Sequence, residues 1–106
     1  KGGVEPAKML DIIQNSTAGS YVADHYGPPI LAGDYDPSFT LGLALKDMRL
    51  AEEMAASLGI TLPMCDLTTQ TYHRAVERYG FDANHLKAVR LLEEDNQTWL
   101  RDSGSA

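Results

Sequence analysis

Residues 39–51 open the longest helical periodicity in the chain, which runs to Leu58 and stops at Gly59. At about 100° per residue, Leu41, Leu43, Ala44, Leu45, Met48, Leu50, Ala51, Met54, Ala55 and Leu58 fill an arc of about 220°. Lys46, Arg49, Glu53, Ala56 and Ser57 take the other side, where Arg49 and Glu53 can pair at helical spacing. Asp47 interrupts the apolar arc near its middle, between Leu43 one turn earlier and Leu50 one turn later. A carboxylate buried there needs hydrogen-bond or cationic partners, because an unpaired buried charge is very costly. Two readings stand: Asp47 complements the helix dipole from the second turn, or it faces a polar site built with another part of the molecule.

The same pattern predicts the other elements. Pro6 suits a first helical turn, and Met9, Leu10, Ile12 and Ile13 form the stripe of a helix over residues 7–15. Ser20 caps a short second helix through Tyr21, Val22 and His25, which Gly27-Pro28-Pro29 ends, with one further turn over residues 28–32. Residues 33–38 predict a loop, with Asp36 extended before Pro37 and Phe39 packing the loop against the core. Gly59-Ile60-Thr61-Leu62 is an extended connector too short for a sheet. Pro63 opens a helix to Tyr79 with Met64, Cys65, Thr68, Tyr72, Ala75, Val76 and Tyr79 on one face, and Gly80 ends it. Asp82 caps a last helix over residues 83–93. Residues 97–106 are polar apart from Trp99 and Leu100, and fray. No strand-like alternation occurs, so the expectation is an all-α bundle of about five or six helices.

Composition narrows the partners. With 106 residues there is room for one small domain, and 43% hydrophobic with 23% charged residues is ordinary for a soluble globular protein. A net charge of −6 argues against nucleic acid or an anionic membrane as partner. No apolar run approaches the roughly 20 residues of a membrane span, and no signal peptide is visible. The single cysteine, Cys65, cannot form an internal disulfide, which fits a cytoplasmic protein. Lys1-Gly2-Gly3 reads as the C-terminal end of a helix, so the chain is expected to be a fragment of something longer.

Self-contained catalytic motifs are lacking. Neither G-x-G-x-x-G after a strand nor a phosphate-binding G-x-x-x-x-G-K-[ST] occurs. His25, His73 and His85 share no ligand spacing, so no metal site is expected. Cys65, on the apolar helix face, is read as core. Ser16, Thr17 and Ser20 around Gly19 suit either a backbone anion site or a plain linker.

One resemblance is specific. Gly33-Asp34-Tyr35-Asp36-Pro37-Ser38-Phe39, followed by Leu45-Lys46-Asp47-Met48-Arg49-Leu50-Ala51, resembles the β-hydroxyacid dehydrogenase signature G-D-F-x-P-x-F and K-D-L-x-L-A. Tyr35 and Met48 are mild departures. Residues 2–13 resemble the helix preceding that signature, and residues 58–64 its L-G-V-x-L-P-L connector. The likeness covers residues 1 to about 93. The family includes 3-hydroxyisobutyrate dehydrogenase and tartronate semialdehyde reductase, with 6-phosphogluconate dehydrogenase a distant relative.

The resemblance implies that residues 1–94 are an all-α C-terminal domain like that of 6-phosphogluconate dehydrogenase, serving substrate binding and dimerisation, with 95–106 a polar tail. An N-terminal Rossmann domain and an interdomain helix are then absent from this chain, and the catalytic lysine lies upstream. It further implies NAD or NADP as cofactor, a 3-hydroxy acid as substrate and a homo-oligomer. Lys46 then contacts the cofactor, while Phe39 and Asp47 support the active site. The chain alone is expected to be inactive. The competing class is a stand-alone helical interaction module without catalysis.

Overall fold

The computed structural model describes residues 1–34 and 39–101, so the predicted loop at Tyr35, Asp36, Pro37 and Ser38 lies outside the described residues. Five helices follow in order: α1 (Pro6–Gln14), α2 (Tyr21–Ala32), α3 (Leu41–Ser57), α4 (Pro63–Tyr79) and α5 (Lys87–Asn96). The described residues form no β-strand, only an isolated bridge between Thr40 and Asn84. The all-α expectation holds. None of these helices is long and apolar enough to cross a membrane.

The chain divides into two compact units, one holding α1, α2 and the chain from residue 92 on, the other α3, α4 and the start of α5. In the first, Pro6 opens α1, and Asn15 closes it by donating its side-chain amide to the Asp11 carbonyl at 2.8 Å. The Ser20 hydroxyl accepts the Ala23 N–H at 3.0 Å and starts α2 as predicted. Contrary to expectation, α2 continues through Gly27-Pro28-Pro29 to Ala32. Two prolines remove two backbone donors, but their fixed φ is helical, and Gly27 lacks the Cβ that usually clashes with a following proline ring. Gly27 also sits against Leu10 of α1, whose side chain would overlap a Cβ there. Continuing the helix places Ile30 and Leu31, with Leu10 and Ile13, around one apolar cavity. Gly33, at φ +69°, then ends α2 with paired bonds from its own N–H to Ile30 and from the Asp34 N–H to Pro29.

In the second unit, α3 and α4 pack side by side. Thr40, which the sequence reading did not single out, caps α3; as predicted, Gly59 at φ +69° follows its end, Pro63 opens α4 and Gly80 at φ +96° follows it. Leu41, Ala75, Ala88 and Leu91 form the core, with Tyr72, Val76 and Tyr79 packed against it. The last helix departs from expectation. It begins at Lys87 rather than 83, because residues 81–85 serve another element. Phe81 and Ala83 give their carbonyls to the first N–H groups of α3, on Gly42 at 3.0 Å and Leu41 at 2.8 Å. These donors have no partner inside their own helix, so the turn caps α3 and is thereby held out of α5.

Candidate functional site

The site is built around the head of α3. Phe39 accepts the His85 N–H on its carbonyl at 2.8 Å, and its ring meets the His85 imidazole edge-on, centroids 5.4 Å apart. His85 is buried, and desolvation lowers its pKa, which favours the neutral ring against Phe39. Asn84, also buried, accepts the Leu86 N–H at 2.7 Å on its side-chain oxygen. Phe39 is therefore fixed through both backbone and ring by the turn that caps α3.

Lys46 lies farther along α3, exposed on the rim of a cleft of about 420 Å³ shared with Gly42, Arg49, His73 and Phe81. Gly42 is required by close approach: the Phe81 ring occupies the space a Cβ would take. Lys46 and Arg49 give this cleft cationic character, with Glu53 as the acidic counterpart.

Asp47 is exposed. Of the apolar arc predicted for α3, only Leu41, Ala44, Leu45 and Ala55 are buried. Leu43, Leu50, Met54 and Leu58 are exposed, and Asp47 lies in their midst. The carboxylate thus sits on an uncovered apolar stripe, roughly a hundred degrees around the helix from Lys46. The structure therefore joins Phe39 to His85 and places Lys46 on the rim of the cleft.

Beside the Lys46 cleft, a polar hollow of about 540 Å³ is lined by Arg49, Glu52, Asp66, Thr69, His73 and Arg74. The Asp66 carboxyl raises the Glu52 pKa by hydrogen bonding and by charge, with desolvation adding to it and Thr69 and Arg49 opposing. Cys65 of α4 is half-buried, its Sγ 3.9 Å from the Met48 carbonyl, which fits the core reading better than a nucleophile. Among the described residues no three His, Cys, Asp or Glu side chains gather as metal ligands do.

Sequence reasoning did not find Phe81, Asn84 and His85. The one available signal was Gly42, a glycine inside the first turn of a helix, where a close neighbour is a usual reason for its presence.

Residues 1–92 match the family described as "NAD-binding of NADP-dependent 3-hydroxyisobutyrate dehydrogenase". The chain belongs to this family. Among curated relatives of this dehydrogenase family, "Probable 3-hydroxyisobutyrate dehydrogenase-like 1, mitochondrial" of Arabidopsis thaliana is 35% identical over 105 residues, covering 99% of this chain and 31% of that protein. The "2-hydroxy-3-oxopropionate reductase" of Escherichia coli (strain K12) is 24% identical over 93 residues, covering 88% of this chain and 32% of the relative. The "L-threonate dehydrogenase" of Cupriavidus necator is 29% identical over 73 residues, covering 69% and 25%. This dehydrogenase-family chain thus spans about a third or less of the length of these relatives. The resemblance read from the two signature stretches and their flanks is borne out.

Proposed function

We propose that this chain is the all-α C-terminal domain of an NAD(P)-dependent dehydrogenase that oxidises or reduces a 3-hydroxy acid, working with a Rossmann domain encoded upstream. The observation that carries this reading is family membership combined with the exposure of Lys46 on a cationic cleft rim. A dinucleotide is anionic through its phosphates, so Lys46 and Arg49 suit it in charge. The bound nicotinamide supplies the hydride chemistry. Within this chain, Lys46 holds the cofactor by charge. Phe39, pinned by His85, shields the reacting groups from water, and Asp47 orients polar groups that meet the uncovered face of α3. The proton-transferring lysine is contributed by the upstream part.

Two measurements test this. In the complete protein, Lys46→Ala should raise the cofactor KM by about tenfold, the effect of losing one charge-assisted contact, with a smaller change in kcat. An unchanged cofactor KM would remove Lys46 from the site. The 106-residue chain alone should turn over no 3-hydroxy acid with either nicotinamide cofactor, because hydride transfer requires both reactants to be held in register. Turnover by the chain alone would overturn the assignment of catalysis to a second domain.

A further inference from the structure

We propose that residues 97–101 are a clasp, engaged through the carboxylate of Glu93, that keeps α1 and α2 folded, so that releasing it unfolds this helix pair while α3 and α4 remain folded. The helix pair needs outside support. Neither α1 nor α2 contains a single buried residue, they are 9 and 12 residues long, and α2 contains two prolines. Isolated helices of that length are marginal in water, and most helix stability in proteins comes from a packed face. Here the packed face is finished by the tail.

Glu93 is 2% exposed, and its Oε2 accepts the Leu100 N–H at 2.7 Å while its carbonyl accepts the Thr98 N–H at 3.1 Å. Gln97, just past the end of α5, turns the chain with φ +50°, a left-handed conformation uncommon for a residue with a Cβ. Leu100, itself 43% exposed, thereby lines an open apolar hollow of about 240 Å³, whose other walls include Met9, Leu10, Ile13, Ile30 and Leu31. Arg101 completes the clasp. Its side chain lies against the bare Cα of Gly33 at the end of α2, and its guanidinium stands 5.6 Å from the Trp99 ring centroid. One carboxylate thus anchors a segment that touches α1, α2 and the α2 C-terminus, and the compact unit formed by these parts is separate from that of α3 and α4. The family match ends at residue 92, so Glu93 and the clasp lie beyond it.

Amide hydrogen exchange on the 106-residue chain reads this directly, with Glu93→Ala, which deletes the acceptor, and Leu100→Ser as independent variants. Protection of α1 and α2 amides should fall by about tenfold or more in both, the factor expected when a hydrogen bond to a charged group or an apolar anchor is lost, while α3 and α4 amides keep theirs. Trp99, the single tryptophan, should become more accessible to a soluble quencher in the same variants. Unchanged protection of α1 and α2 in both variants would overturn the proposal, and so would an equal loss across all helices.

Discussion

Asp47 carries a charge in an exposed apolar stripe, and its worth depends on what meets that stripe. In the isolated chain it is solvated, so Asp47→Ala should change stability by no more than about 0.5 kcal/mol, as most surface substitutions do. In the complete protein the same change should lower kcat/KM by about tenfold or more and leave the melting temperature nearly unchanged. Normal kcat/KM there would return Asp47 to its simpler role as a dipole-complementing residue. Gly42 makes a different point at the same scale. Alanine is a better helix former than glycine by about 1 kcal/mol, so on propensity alone Gly42→Ala should stabilise α3. The Phe81 ring reverses that expectation, because it must move to admit the new methyl group. A net loss of about 1–2 kcal/mol is expected from overpacking, measured by denaturant unfolding. Phe81 is half-exposed, so adding Phe81→Ala should recover most of that loss. A Gly42→Ala variant as stable as the parent would show that the ring yields freely.

At the scale of elements, the seam between α3 and α4 carries the clearest pH dependence. Glu52 of α3 and Asp66 of α4 face one polar hollow, and Asp66 raises the Glu52 pKa above its ordinary 4.5. A carboxyl whose folded pKa is raised binds its proton more tightly in the folded chain than in the unfolded one. Its contribution to stability is therefore fully present below 4.5 and is lost as pH rises through the folded value. Glu52→Gln removes the ionisation. Unfolding midpoints of variant and parent should lie close together in acid and diverge toward neutral pH, with the variant the more stable. A constant difference across that range would exclude the carboxyl pair as its source. The helices themselves were unequally legible. For α3 and α4 the starts and stops are local: a threonine or proline at the front and a glycine just past the end. For α2 the proline pair read as a stop, and the packing of Gly27 onto Leu10 overrode it. For α5, Asp82 read as a cap, but the carbonyls of residues 81 and 83 were already engaged by the head of α3.

Across the whole molecule, the uncovered side of α3 sets the behaviour in solution. Leu43, Leu50, Met54 and Leu58 are all exposed along one helix face, and apolar patches of this kind tend to find partners. The purified chain should sediment increasingly fast as its concentration rises, and Leu50→Glu with Met54→Glu should return it to a monomer. A clean monomer at high concentration would show that this stripe does not drive association. The amino-acid sequence by itself determined that the protein is all-helical, where α3 ends, where α4 begins and ends, and to which family it belongs. Those features rest on periodicity, caps and motif spacing, which operate within a few residues of the chain. Tertiary structure alone decided which part of the α3 arc is buried, that α2 runs through its prolines, that Phe39 rests on His85, and that Leu100 lines an apolar hollow of α1 and α2. Each of these depends on a contact between segments far apart in sequence, and local periodicity carries no information about which distant segment will supply the opposing surface.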